Sequence, residues 1–105
     1  MTIKQELKTI LLRHEGKEQA ITSRELCLLL GLQDRALRLF IRDLREELVP
    51  ILSSGEGYYL PANRDEVNQC LASMRSRLIA DAITRRYIKK AAALYLTPAE
   101  QGVLM

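Results

Sequence analysis

The sequence predicts a mainly α-helical chain that carries one small β-hairpin. Three observations predict it. Apolar residues recur at helical spacing through residues 1–48. A short stretch, ILSSGEGYYLP at 51–61, then combines strand-forming residues with turn residues. From Asn63 to Leu96 there is no glycine or proline, so a single long helix is expected there. The chain of 105 residues, 48 % of them apolar, is long enough for one modest core.

The elements follow in order. Thr2 and Gln5 have the spacing of a capping box, and Ile3, Leu7, Ile10 and Leu11 then lie along one side of a first helix, with Gly16 as its stop. The polar stretch Lys17–Ala20 leads to Thr22-Ser23-Arg24-Glu25, a second capping-box spacing. Leu26, Leu29 and Leu30 give the second helix a side to bury, and Gly31 ends it. The third helix starts at Gln33 or Asp34 and is expected to reach about Leu48. Two helices joined through so short a turn make a helix-turn-helix, whose second helix commonly enters the DNA major groove.

At about 100° per residue, Leu37, Phe40, Ile41, Leu44 and Leu48 of the third helix share one sector and are predicted to face the core. Arg35, Arg38, Arg42 and Arg45 fall on the opposite side, with Leu39 and Glu46. Such a row of arginines suits phosphate contact and bidentate recognition of guanine. An ordinary solvated face, paired with Asp43, Glu46 and Glu47, is the other reading of the same residues. Val49, Ile51 and Tyr58-Tyr59-Leu60 read as strand, with Ser53–Gly57 as the turn. A lone two-stranded ribbon is marginal in water, so it must lean on the helices.

Three helices followed by a hairpin is the order of a winged helix. The stretch ITSRELCLLLGLQDRALRLFIRDLREELVPILSSGEGYYL resembles the winged helix-turn-helix domains of bacterial and phage regulators, including the biotin-repressor type. In that family a run beginning S/T-x-x-E-L leads through a glycine turn to a wing ending G-x-G-Y-x-L. The resemblance covers about residues 21–60. It implies that Asp34, Arg35 and Arg38 occupy base-contacting positions near the start of the recognition helix, with Gln33 before them and Arg42 and Arg45 further along as DNA-binding residues. It also implies that Thr22, Ser23 and Arg24 meet phosphate. The wing tip carries Glu56, where the family often has a cation that phosphate would attract.

Residues 1–62 are thus expected to form a winged helix-turn-helix domain, and residues 63–105 a long helical extension. Extended over roughly 50 Å, such a helix is longer than one small domain covers. Val67, Leu71, Met74, Leu78, Ile83, Tyr87 and Leu94 are the residues expected to bury it, against a second copy in a homodimer. A break near Asp81–Thr84 that folds the helix back is the alternative. Thr97-Pro98-Ala99-Glu100 has the pattern of a further helix start.

The net charge is +3, but its distribution matters more than its sum. Residues 1–48 carry nine basic against eight acidic side chains, whereas residues 75–90 hold Arg75, Arg77, Arg85, Arg86, Lys89 and Lys90 against Asp81 alone. That excess attracts a polyanion. No apolar run is long enough to span a bilayer, and Lys4, Glu6, Lys8 and Arg13 are unlike a secretion signal, so a cytoplasmic protein is expected. Cys27 and Cys70 are accordingly expected as reduced thiols. His14 is the sole histidine, no Cys/His set has metal-ligand spacing, and the GEG lies in a turn between strands. An enzyme and a cofactor are therefore not expected. The expected function is a dimeric bacterial or phage-type transcriptional regulator that reads double-stranded DNA with its third helix. A winged-helix protein-interaction module in a replication or other assembly is the second reading, with a protein partner at the wing or the last helix.

Overall fold

The computed structural model describes residues 1–96, and the helix start expected at Thr97–Glu100 lies outside them. The chain forms α1 (Ile3–Leu11), a 3₁₀ turn (Lys17–Gln19), α2 (Ser23–Leu30), α3 (Asp34–Glu46), β1 (Leu52–Ser54), β2 (Gly57–Tyr59) and α4 (Arg64–Tyr95). It is mainly helical with one two-stranded antiparallel sheet and a long last helix, as its sequence predicts. It divides into a unit ending at Cys70 and a second beginning at Leu71. The first unit extends past residue 62, the boundary expected from sequence, because Val67 and Cys70 of α4 pack against the hairpin.

In the first unit, each helix contributes one apolar side to a common core. Leu7 and Leu11 of α1, Leu26 of α2, and Leu37, Ile41 and Leu44 of α3 are buried with Ile21 and Ile51. The capping box of Thr2 and Gln5 forms on both sides. At α2, Thr22 Oγ1 accepts from the Glu25 amide at 3.1 Å. Gly31, with φ of 66°, closes α2 by donating its N–H to Cys27 O. Cys27 and Cys70 are not joined in a disulfide, and the Cys70 thiol lies 3.7 Å from Ser53 O.

Three expectations are corrected here. The first helix stops at Leu11 rather than at Gly16, because its chain must turn into register with the hairpin. The Leu60 N–H donates to His14 O at 2.9 Å, and the Gly16 N–H to Leu60 O at 2.7 Å. Leu29 is 65 % exposed, since an eight-residue helix anchored by Leu26 turns Leu29 towards a shallow groove beside Met1 and Ile10. Leu48 is 89 % exposed, because α3 ends before reaching it.

Leu48 adopts a left-handed φ of 68°. Its N–H donates to Arg45 O and that of Val49 to Leu44 O, both at 3.0 Å, the paired bonds of a Schellman turn usually closed by glycine. Left-handed backbone costs a residue with a Cβ about 1–2 kcal/mol, and glycine loses part of that advantage in the unfolded chain. Leu48→Gly is therefore expected to stabilise the protein by about 0.5–1 kcal/mol, read as a higher urea midpoint. A lower midpoint contradicts the strain argument.

The hairpin pairs Leu52 with Tyr59, Ser53 with Tyr58 and Ser54 with Gly57. Its turn is thus the two residues Gly55-Glu56, and Ser53, Ser54 and Gly57 belong to the strands instead. The strands begin at Leu52, not at Val49. On the outer edge of β2, Ile21 exchanges two hydrogen bonds with Tyr58 at 2.9 and 2.8 Å. That bridge and a second cluster of Leu52, Tyr59 and Cys70, with Val67 and Ala20 against it, support an otherwise marginal ribbon.

The start of α4 is tied to the first unit by Glu66. Asn63 Oδ1 accepts from the Glu66 N–H at 3.0 Å. The Glu66 carboxylate accepts from the amides of Lys17 at 2.9 Å and Ala62 at 2.8 Å. These bonds, the Lys17 amide foremost, hold its pKa below the ordinary 4.5. A carboxyl depressed in the folded state contributes stability above its unfolded pKa, and loses it as pH falls through the folded value. The urea midpoint is expected to fall on acidification below about pH 4.5, and Glu66→Gln should flatten that fall. Parallel curves for the two proteins would exclude Glu66 as the titrating tie. Beyond this start, α4 continues unbroken from Arg64 to Tyr95, without a break at Asp81–Thr84.

Candidate nucleic-acid interface

Gly31-Leu32-Gln33 is the whole connection between α2 and α3, and the Gly31 turn lets α3 start with Gln33 extended ahead of its first turn. Gln33, Asp34, Arg35, Arg38, Leu39 and Arg42 are exposed on α3 and its approach, while Leu37, Ile41 and Leu44 hold the opposite side in the core. Thr22 and Arg24 are exposed at the start of α2, and Ser23 is half-buried. Thr22 spends its hydroxyl lone pair on the Glu25 amide, so its cap role is structural.

The four arginines are not alike. Arg38 Nε lies 2.9 Å from Asp34 Oδ2. Arg42 stands 3.9 Å from both Asp43 and Glu46, in loose pairs. Arg45 is half-buried, and its Nε donates to Ile51 O at 2.9 Å, bracing the end of α3 against the chain entering β1. The Arg35 side chain makes no ion pair or hydrogen bond with the other described residues, so its five donors are available to a ligand. Helical angle could have located Arg45, which lies nearest the apolar sector of the four. Its acceptor could not be found that way, because Ile51 comes after a turn.

Exposed pairs such as these contribute little to stability, but each acid lowers the local positive potential. Along α3, four arginines face Asp34, Asp43 and Glu46, a net charge of +1. The hairpin tip adds Glu56, exposed, with its N–H donating to Ser54 Oγ at 3.1 Å. The α3 face is thus equipped for selective hydrogen bonding more than for bulk attraction of an anion. Lys4 and Glu47 form a further ion pair between α1 and the end of α3.

The residues expected to bury the last helix separate into different surroundings. Val67 packs in the first unit. Leu71, Leu78, Ile83, Tyr87 and Leu94 are 57, 71, 49, 68 and 82 % exposed, and Met74 is 38 % exposed. Because α4 is continuous, angle accumulates along it. Leu71, Met74 and Leu78 point about 160° away from Ile83, Tyr87 and Leu94. They are two stripes, not the continuous seam read from sequence.

His14 Nδ1 lies 2.6 Å from Gln19 O, a local contact at the 3₁₀ turn. Among the described residues, no cluster of three or more His, Cys, Asp or Glu could hold a metal ion. No described helix is long and apolar enough to cross a membrane. No protein-family model matches this chain, and comparisons with curated proteins and with solved structures returned no match.

Proposed function

We propose that this chain is a DNA-binding protein of winged helix-turn-helix architecture, a dimeric regulator of bacterial or phage type acting in the cytoplasm. The observation that carries the reading is Arg35: exposed, unpaired among the described residues, and set just after a three-residue turn at the start of a helix anchored on its far side. In that place an arginine fits the major-groove edge of a guanine. Arg38 follows one turn along as a second base contact and Arg42 two turns along as a phosphate contact, once their acids yield to the ligand. Gln33, Asp34, Thr22, Ser23 and Arg24 flank them. The order of three helices and a hairpin supports the architecture, and the exposed stripes of α4 support self-association.

Arg35→Ala is expected to cost about 1–3 kcal/mol in binding to the preferred duplex and to relax preference at one base position. Fluorescence anisotropy against a randomised duplex pool reads both effects. An Arg35/Arg38/Arg42 triple alanine variant with unchanged affinity ends the reading. A protein-interaction module is then the alternative, favoured by the acidic hairpin tip at Glu56 and by exposed Leu39 at the centre of the α3 face.

A further inference from the structure

The largest unneutralised positive surface among the described residues is not on α3. Arg75, Arg77, Arg85, Arg86, Lys89 and Lys90 of α4 are all exposed, and none forms an ion pair with a described acid. Within residues 83–95 the cations and the large apolar side chains are segregated, with only the small Ala93 on the cationic side. Arg85, Arg86, Lys89 and Lys90 occupy an arc of about 140°, and Ile83, Tyr87, Ile88, Ala91, Leu94 and Tyr95 occupy a similar arc nearly opposite. No acid falls in that segment. The four cations span about 7.5 Å of helix axis, whereas duplex DNA carries one charge per about 1.7 Å.

We propose that the Arg85, Arg86, Lys89, Lys90 arc of α4 is a second duplex-binding surface that grips the phosphate backbone without regard to sequence. The inference rests on the reading of this chain as a DNA-binding protein, and it divides the labour within it. The α3 face, with a net charge of +1 and its arginines partly tied to acids, selects. The α4 arc, with four cations and no acid, supplies most of the counterion release that drives association. The segregation of the arcs permits both, because apolar contact on one side of α4 leaves the cations on the other.

The test is the salt dependence of binding of the full chain to a random-sequence duplex. Each phosphate contact adds about 0.9 to the slope of log K against log salt. The Arg85→Gln, Arg86→Gln, Lys89→Gln, Lys90→Gln variant is expected to lower that slope by about 3–4 units. Its affinity should fall on the order of a thousandfold near 0.1 M salt, with the base preference of whatever residual binding remains intact. Glutamine is as good a helix former as lysine, and circular dichroism checks that helix content is kept. The Lys89→Gln, Lys90→Gln variant gives an independent reading, with a loss of about 2 units.

An unchanged slope in both variants overturns the inference, while an Arg35→Ala effect in the same assay leaves the α3 reading standing. A reduced slope with no effect of Arg35→Ala does the reverse. Wild-type protein that ignores duplex DNA but sediments with phosphatidylserine vesicles overturns both, and assigns the arc to an anionic lipid surface.

Discussion

Gly57→Ala is expected to destabilise the first unit by about 2–4 kcal/mol, far more than Gly31→Ala, which should cost about 1 kcal/mol. Both glycines hold a positive φ, 129° and 66°. Nothing lies within 4 Å of a Cβ built on Gly31, so alanine there bears only the left-handed backbone. A Cβ on Gly57 would stand 2.3 Å from Ile21 O, 2.6 Å from Ile21 C and 2.9 Å from Thr22 N. These are backbone atoms that cannot rotate aside. Alanine must push the hairpin away from the chain entering α2 and break the exchange of hydrogen bonds between Ile21 and Tyr58. Urea denaturation of the two variants side by side measures the difference. Equal costs would mean that the contact at Ile21 is slack.

The Ile83→Asp, Tyr87→Asp variant is expected to convert a self-associated protein to monomers, whereas Leu71→Asp, Leu78→Asp should leave the association in place. The two pairs lie on different sides of one continuous helix, so a two-helix seam covers one of them only. The Ile83 side is the better seam, because Arg85 and Lys89 lie over the Leu71 side and Arg86 well off the Ile83 stripe, leaving only Lys90 at its edge. The Leu71 side carries Arg75 close beside it. Each well-buried aliphatic or aromatic side chain contributes about 1.5–3 kcal/mol, so two substitutions contributed by each of two chains exceed what such a seam can lose. Sedimentation equilibrium at micromolar concentration, with helix content checked in parallel, distinguishes the cases. Dissociation by the Leu71 pair alone reverses the assignment, and dissociation by either pair points to an assembly of more than two chains. A wild-type chain that remains monomeric removes the proposed dimer.

Much of the architecture was legible because it depends on short-range rules. The capping box of α1, the Thr22 cap of α2, the Gly31 turn and the core sides of α1 and α3 all follow from residues three or four positions apart. Where helical angle failed, the cause was a helix end. Leu48 and Leu29 occupy favourable angles, yet α3 stops before one and α2 is too short to bury the other. Gly16 looked like a helix stop, but the constraint acting on that segment is its pairing with Leu60, distant in sequence. The candidate interface divides in the same way. That Arg35, Arg38, Arg42 and Arg45 share one side of α3 is a matter of spacing, whereas which of them is free is a matter of partners.

The sequence by itself determined the kinds of element, their order, and where charge and apolar surface collect along each helix. These are local quantities, set by propensity, capping and periodicity. Only the tertiary structure decided that Arg45 braces Ile51, that β2 is covered on its outer edge by Ile21, and that Glu66 ties α4 to the Lys17 turn. Each is a hydrogen bond between segments that meet only after the core has closed. Its partners are selected by the packing of Leu7, Leu26, Leu37 and Ile41, rather than by any pattern within their own neighbourhoods.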